Sequence, residues 1–260
     1  MVIAIKNSGI QIKALYWGMK VYKNQRILLL APAYNEETKI GDVVRRSKNK
    51  IIDKILVVDD GSSDNTAEIA REAGADVISL EFVRGVGFAI RIGYEQARKE
   101  GFDIVVTIAG NNKDNPDEIP QLLDPICDEE YDFVIGSRFL QGGGYGGDMQ
   151  AYRKWATRLH PWLLGFFCRK KITESTNGFR AIKVSVFEDK RIDLTQDWLN
   201  HYELEVYLLM KLIKLGYKIK EIPCTKIYPA KRLGRTKMRP VLDWWKMLRP
   251  IFLVGLGLRK

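Results

Sequence analysis

The chain has 260 residues, which is enough for one α/β domain with a substantial hydrophobic core. Its 46% hydrophobic and 28% charged residues are ordinary for a folded protein and exclude an intrinsically disordered one. The net charge of +10 predicts an anionic partner, which leaves nucleic acid, phosphorylated substrates and an acidic membrane surface as candidates.

Strand and helix patterns alternate through the first half of the chain. Residues 1–25 form an N-terminal extension that is compatible with a short helix. After it, continuous apolar runs alternate with segments of helical spacing; the predicted strands are 26–31, 55–58, 77–80 and 104–108, and the predicted helices are 36–50, 66–73 and 87–100. This alternation predicts a mostly parallel sheet with helices on both faces, whose ligands bind beyond the carboxyl ends of the strands.

The second half of the chain is less regular. Its glycine-rich stretch, residues 141–147, is more typical of a mobile loop than of a regular element. The predicted elements are strands at 133–135 and 218–223, a helix at 202–215, and a helical segment at 152–168 that breaks at Pro161.

Two adjacent carboxylates, Asp59 and Asp60, follow the second predicted strand. Buried carboxylates are unfavourable unless something satisfies them, and this position suits hydrogen bonds to a base or a ribose. Gly61 then lets the chain turn closely around a ligand. The alternative is purely structural, with Asp59 capping its loop while Asp60 faces water.

The loops after the first and third predicted strands carry further candidates. Pro32 ends the first strand; beyond it Tyr34 suits a base face, and Glu36 suits a ribose hydroxyl or the start of a helix. Arg84 supplies positive charge, and Gly87 at the start of a helix suits the close approach of phosphates. As a glycine motif this is a weak signal, because it lacks the dinucleotide-binding spacing.

Eight ordered segments resemble the family 2 glycosyltransferases, and more narrowly the polyprenyl-phosphate sugar synthases of the dolichyl-phosphate mannosyltransferase type. The resemblance spans residues 26–237, through PAYNEE (32–37), VVDDGSSDNT (57–66), RGVGFAIRIGYEQA (84–97), NPDEIP (115–120), VIGSRF (134–139), TNGFRAIK (176–183), GYKIKEIP (216–223) and KRLGRTK (231–237). It implies a glycosyltransferase A fold, a three-layer α/β/α domain. It also implies a nucleotide pocket lined by Pro32, Tyr34, Glu36, Asp60 and Arg84, and the full predicted donor site adds Asp59, Gly87 and Gly110.

The sequence departs from the family at one place. The family has an Asp-x-Asp motif after the fourth strand, where two carboxylates hold a divalent cation against the donor diphosphate. Here the two positions fall on Ala109 and Asn111; alanine binds no metal, and asparagine offers only a neutral oxygen. Three readings stay open: weak Mg²⁺ or Mn²⁺ binding by Asn111, aided by Asp114; partial replacement of the metal's charge by Lys113; and loss of catalysis.

Positive charge near the reacting phosphates is expected from two further places. The resemblance places Arg138 and the basic loop 231–237 near the donor diphosphate or the acceptor phosphate, where cations would stabilise the leaving nucleotide. We therefore predict catalytic roles for Asn111, Arg138 and Lys231. Glu174 is a candidate for supporting these groups or for binding a metal.

The acceptor decides whether a base is needed. A sugar hydroxyl normally requires one, and the candidates are His201, Glu203 and Glu205, since His160 lies in an apolar segment. A lipid phosphate arrives already ionised and requires none. The lack of an obvious catalytic dyad fits a phosphate acceptor.

Basic and aromatic residues are concentrated late in the chain. We predict a catalytic domain over 26–225, followed by a segment, 226–260, whose amphipathic helices lie on an anionic membrane surface. The alternative is a helix that packs on its own domain; nucleic acid is not expected as a partner, because no nucleic-acid-binding motif accompanies the charge. No apolar stretch reaches the roughly 20 residues of a membrane span, and the three cysteines match no metal or disulfide pattern. We expect a peripheral protein on the cytoplasmic face of the membrane.

The sequence thus predicts an inverting glycosyltransferase. It would move a hexose from a GDP- or UDP-linked donor to a polyprenyl or dolichyl phosphate. The first alternative is transfer to a saccharide hydroxyl in polysaccharide or glycoprotein assembly. The second is a non-catalytic protein that binds nucleotide sugars.

Overall fold

The computed structural model describes residues 22–147, 149, 151–228 and 242–259. Its strands in chain order are β1 Ile27–Ala33, β2 Lys54–Asp59, β3 Asp76–Ser79, β4 Ile104–Thr107, β5 Phe133–Ser137, β6 Gly144–Gly147, β7 Arg180–Lys183, β8 Ile219–Pro223 and β9 Thr225–Tyr228. Its α-helices are α1 Ile40–Ser47, α2 Thr66–Glu72, α3 Val86–Lys99, α4 Ile119–Asp128, α5 Ala151–Cys168, α6 Glu203–Lys214 and α7 Leu242–Gly255.

Seven of the strands form one sheet, in the order β3-β2-β1-β4-β7-β5-β8. β1 pairs in parallel with β2 on one side and with β4 on the other. β7 is antiparallel to both of its neighbours, β4 and β5. Because β7 is reversed, the segment before Arg180 reaches the edge at which β1, β2, β4 and β5 end. We call this edge, with the loops that follow those strands, the carboxyl edge.

Alternating side chains of β1 build a core on each face of the sheet. Leu28 and Leu30 belong to the cluster that contains side chains of α3, α6 and α7, and Ile27 and Leu29 belong to the cluster that contains side chains of α1 and α4. All four side chains are fully buried, which explains why the strand reads as a continuous apolar run. The predicted three-layer domain with a mostly parallel sheet is confirmed.

The structure corrects two local predictions. Residues 144–147, expected to belong to a mobile loop, form β6, which pairs with β9. Helix α5 does not break at Pro161 but continues to Cys168, because buried contacts of His160 and Leu164 hold it against the domain on both sides of the proline.

The segment after residue 225, which the sequence predicts to lie on a membrane, contributes to the folded domain at two places. β9 crosses the domain boundary predicted at residue 225, and Lys226 within it is buried. Ile251 and Val254 of α7 belong to the core, so this face of the helix packs on the domain, as the alternative to membrane contact foresaw. In the described part of the chain, no helix has the length and apolarity needed to cross a membrane.

Candidate active site

Hydrogen bonds join the loop after β1 to the loop after β2. The amide of Asn35 donates to Ser62 Oγ (2.8 Å), and the amide of Ser63 donates to Asn35 Oδ1 (2.8 Å). The amide of Glu36 donates to Thr66 Oγ1 (2.7 Å). The two loops therefore form one surface, on which Pro32 and Tyr34 are half-buried and Glu36 pairs with Lys39.

Asp60 is buried and holds the turn that precedes α3. Its Oδ1 accepts the amide of Arg84 (2.7 Å), and its Oδ2 accepts the amide of Gly85 (2.8 Å). Burial raises the pKa of this carboxyl group, and the two amide hydrogen bonds oppose that shift. The alternative in which Asp60 faces water is wrong, since the residue is only 5% exposed. Asp59 does cap its own loop, by accepting from the amide and hydroxyl groups of Ser62.

Gly85 and Gly87 are required by protein packing. A Cβ at either position would overlap the backbone around Asn200 and His201, and Gly85 also has φ +107°, which favours glycine. The space beside these glycines is therefore filled by residues 199–201 and is not available to a phosphate group. A contribution of Gly87 to donor binding stays a prediction. Arg84 is exposed, and its guanidinium lies 4.7 Å from the Phe88 ring centroid.

The end of β4 lies against the end of β1. A Cβ at Gly110 would be 3.0 Å from the carbonyl oxygen of Pro32, so only glycine fits this close approach without movement. The Oδ1 atom of Asn111 is buried and has no hydrogen-bond partner among the described residues. Asn111 therefore carries a buried acceptor without a partner in the described part of the chain, directly after Gly110 at the end of β4.

Asp114 returns to the end of β4 and forms a buried ion pair. One of its carboxylate oxygens accepts the amide of Ala109 (3.1 Å), and the other accepts Lys226 Nζ (2.6 Å). Lys226 Nζ also donates to Asn177 Oδ1 (2.7 Å). Lys113, which the sequence suggested as a substitute cation, lies instead over the ring of Tyr228, 5.3 Å from its centroid.

Arg138 lies at the end of β5 with its guanidinium hydrogen-bonded in three directions. It donates to Glu174 Oε2 (2.7 Å), the Tyr228 hydroxyl (2.8 Å) and Thr176 Oγ1 (2.8 Å). Burial acts against the charge, but the adjacent Glu174 carboxylate raises the pKa of Arg138 above its ordinary value. Glu174 thus pairs with Arg138, and its supporting role in catalysis stays a prediction. Lys231 and the rest of 229–241 lie outside the described residues.

Two of the three candidate bases are paired with arginines. Glu203 is buried and accepts from Arg249 (2.8 Å), and Glu205 pairs with Arg180 (2.9 Å). The third candidate, His201, lies against Gly85.

His160 is buried between α5, α7 and the loop before β7. Its Nδ1 lies 2.7 Å from Ser175 Oγ and its Nε2 3.1 Å from the carbonyl oxygen of Met247. Burial lowers the pKa of His160 to about 4, so the ring is neutral at physiological pH. Its role is structural.

A groove of about 980 Å³ lies between α5 and the loop after β5. Among the described residues that line it, Arg138, Arg158, Arg169, Lys170 and Lys171 are cationic and none is a carboxylate. Pro161, Trp162 and Phe166 give it an apolar side. Positive charge beside an apolar wall suits an amphiphilic anion. The sequence showed the cations at 169–171 but not that they lie beside Arg138.

Comparison with known proteins extends these observations. The family model described as glycosyl transferase family 2 matches residues 29–190. The chain is 31% identical to the polyprenol monophosphomannose synthase of Mycolicibacterium smegmatis, over 84% of this chain and 83% of that protein. It is also 31% identical to the UDP-N-acetylglucosamine–dolichyl-phosphate N-acetylglucosaminyltransferase of Methanococcus voltae, over 80% and 88%.

A solved structure with the same fold is glucosyl-3-phosphoglycerate synthase from Mycobacterium tuberculosis, in complex with Mn²⁺ and UDP-glucose. The TM-score is 0.64 at 21% identity, covering 91% of this chain and 80% of that one. The predicted glycosyltransferase A fold is confirmed. The metal and nucleotide are properties of that enzyme.

The buried imidazole of His160 predicts a loss of stability in acid. The unfolded chain binds a proton on this ring below pH 6.5, whereas the folded protein does not until about pH 4. Stability contributed by the neutral ring is therefore lost as pH falls through this window, by about 3 kcal/mol at most. We expect His160→Gln to flatten the dependence of unfolding free energy on pH between 6.5 and 4, measured with urea.

His201→Gln is the control for removing a histidine as such and should keep the wild-type slope. If His160→Gln also keeps the wild-type slope, the pKa of His160 is the same in the folded and unfolded protein, and the assignment of a neutral buried imidazole is wrong.

Proposed function

We propose that this chain, which belongs to the family 2 glycosyltransferases, transfers a hexose to a polyprenyl-type phosphate. The donor is a GDP- or UDP-linked sugar, and the reaction inverts the anomeric configuration. The protein acts on the cytoplasmic face of a membrane. The observation that carries the choice of acceptor is the groove whose described lining combines cationic side chains with an apolar wall.

The donor site extends along the carboxyl edge of the sheet. Asp60 follows β2 and Arg138 follows β5, and β1, β4 and β7 lie between them. At about 4.8 Å per strand spacing, four spacings separate these two residues by roughly 19 Å. We place the base and ribose near Tyr34, Glu36 and Asp60, and the diphosphate near the end of β4.

The acceptor phosphate enters from the groove beside Arg138. One of its ionised oxygens forms a bond to the anomeric carbon, while the bond from that carbon to the donor diphosphate breaks. The leaving nucleoside diphosphate takes the electron pair. No proton has to be removed from the acceptor, which fits the engagement of Glu203 and Glu205 by arginines. Cations along the edge stabilise the charge that develops on the leaving group.

The residues present do not fit the Mg²⁺ or Mn²⁺ that the resemblance implies. Hard cations prefer several oxygen ligands, including carboxylates. The position offers Ala109 and the neutral Asn111, and Asp114, whose carboxylate accepts the Ala109 amide, is already paired with Lys226. Among the described residues, no three His, Cys, Asp or Glu side chains lie close enough together to hold a metal ion. We derive no catalytic step through a metal.

One face of α5 suits contact with lipid. Its exposed large side chains recur every three or four residues and form a stripe, Tyr152, Trp155, Leu159, Trp162 and Phe166. Aromatic side chains of this kind favour the membrane–water interface. Trp162 and Phe166 also line the groove, so a polyprenyl chain has a continuous apolar path from the groove to the lipid surface.

A transfer assay tests the proposed reaction. Sugar-labelled GDP- and UDP-hexoses are incubated with polyprenyl phosphate in vesicles, and organic-soluble label is counted. We expect labelled lipid with one donor class. Label that appears only on added saccharide acceptors would favour the hydroxyl-transfer alternative. Donor binding without transfer to any acceptor would favour the non-catalytic alternative.

The same assay tests the groove through its charges. Removing a charge-assisted contact to phosphate weakens binding by about tenfold or more. We expect Arg158→Ala with Lys171→Ala to raise the KM for polyprenyl phosphate by about that factor, while the Kd for nucleotide stays unchanged. Lys190→Ala, at an exposed lysine outside the groove, is the control. An unchanged acceptor KM would remove the groove from the proposal.

Vesicle flotation tests the stripe on α5. We expect Trp155→Glu with Trp162→Glu to abolish binding to vesicles that contain anionic lipid, because two exposed aromatic anchors become charged. Phe82→Glu is matched in exposure, at 70%, but lies outside α5 and should still float. Equal flotation of all three proteins, or binding to duplex DNA in place of vesicles, would contradict this surface.

A further inference from the structure

The Asp114–Lys226 pair lies where the family's metal motif would be. Asp114 accepts the amide of Ala109, the residue at the first aspartate position of that motif. The 2.6 Å contact from Asp114 Oδ1 to Lys226 Nζ therefore places an ammonium group at the end of β4. The side chains of Asp114 and Lys226 are 1% and 11% exposed, respectively, so the lysine is the less buried partner.

We propose that Lys226 is a built-in cation that binds the donor diphosphate, in place of a divalent metal ion. This rests on the proposed function, because it takes the donor to lie along the carboxyl edge. The ligand class is a nucleoside diphosphate. Two of the three N–H donors of Lys226 are engaged by Asp114 and Asn177 within the described structure. The remaining donor is the one assigned to a phosphate oxygen.

The net charge is the same in the family's metal site and in the site of this chain. Two aspartates with a divalent ion sum to zero. Here Ala109 and Asn111 are neutral, and Asp114 and Lys226 cancel each other. The donor diphosphate therefore meets a centre of zero net charge that contains one ammonium group, without any metal. If Lys226 were absent, Asp114 would be a buried unpaired anion that repels the diphosphate.

The same pair hinders metal binding. An ion that used Asp114 as a ligand would have to displace Lys226 from a buried contact, and the neutral oxygen of Asn111 would be its other protein ligand at this position. Breaking a buried ion pair is strongly unfavourable because it leaves a charge without its partner. Nucleotide binding that does not depend on magnesium follows directly.

Local structure fixes Lys226 in this orientation. In β9, exposed and buried residues alternate, so Lys226 and Tyr228 point inward while Thr225 and Ile227 point outward. An isolated bridge pairs Lys226 with Asp114, and the amide of Ile227 donates to the carbonyl oxygen of Lys113 (2.8 Å). Backbone pairing therefore holds the lysine against the loop after β4 before any ligand binds.

Titration calorimetry with GDP and UDP tests the inference without relying on sugar transfer. Each nucleotide is titrated in EDTA and again in excess Mg²⁺, with wild-type protein and Lys226→Gln. We expect the wild-type Kd to differ by less than about threefold between the two conditions. Lys226→Gln should weaken binding in EDTA by about tenfold or more, the effect of one charge-assisted hydrogen bond.

Two further variants serve as controls for the loss of the Lys226 charge. Asp114→Asn with Lys226→Gln removes both charges and leaves no buried unpaired anion. It should still bind the nucleotide more weakly than wild type, because the ammonium donor is gone, but by no more than Lys226→Gln, because the repelling anion is gone as well. Lys220→Gln also removes a lysine that pairs with an acid at 2.6 Å, here Glu129 at the end of α4. Because Lys220 lies on the edge strand β8, this variant should bind as wild type.

Either of two outcomes would overturn the inference: wild-type binding that disappears in EDTA, or wild-type affinity in both the Lys226→Gln and the doubly substituted protein. Failure of both nucleotides to bind wild type under either condition would reject the proposed function itself, and the inference with it. The two failures are therefore distinguishable.

Discussion

A charge that is buried at the carboxyl edge of this sheet has to be paired, and the site is organised by that constraint. An unpaired buried ion is so unfavourable that it would change protonation state or unfold its surroundings. Three charges there are satisfied within the protein: Asp60 by two backbone amides, Asp114 by Lys226, and Arg138 by Glu174. Each contact ties together segments that are distant in sequence, so the pairs that satisfy the charges also fix the loops.

This pairing divides the edge into two halves with different chemistry. On the side of β2 and β1, joined loops and half-buried polar groups form a surface suited to a nucleotide. On the side of β5 and α5, cations gather beside aromatic side chains, which suits a lipid phosphate. The end of β4 lies between the halves, and the Lys226 ammonium and the buried oxygen of Asn111 lie there. Because these groups are held before any ligand binds, little reorganisation is needed during the reaction.

The sequence predicted the structure best where a single local pattern was enough to identify an element. Continuous apolar runs predicted β1, β2 and β4, because a strand that is buried on both faces carries apolar side chains at successive positions. Ordered motifs predicted the family and the general place of the donor site. The antiparallel β7 was missed, since its four residues carry no pattern of their own, and so was β6, whose glycines are typical of a loop.

Partners that are far apart in sequence could not be predicted. Lys226 meets Asp114 across 112 positions, and nothing in the sequence near either residue indicates the other. Lys226 was instead assigned to a membrane-facing segment, and Lys113, only two residues from Asn111, was the substitute cation considered. Likewise, the carboxylate of Asp60 was assigned to ligand, whereas its nearest donors are the amides of Arg84 and Gly85. Hydrogen bonds to backbone leave no residue-type signal.

A crystal structure of the protein with GDP or UDP, grown in EDTA, tests the central claim most directly. The account predicts a nucleotide along the carboxyl edge, with its base and ribose near Tyr34 and Asp60. A diphosphate oxygen should lie within hydrogen-bonding distance of Lys226 Nζ, about 2.7–2.9 Å. A nucleotide bound elsewhere, or a diphosphate that turns away from Lys226 with the Asp114 pair intact, would contradict it.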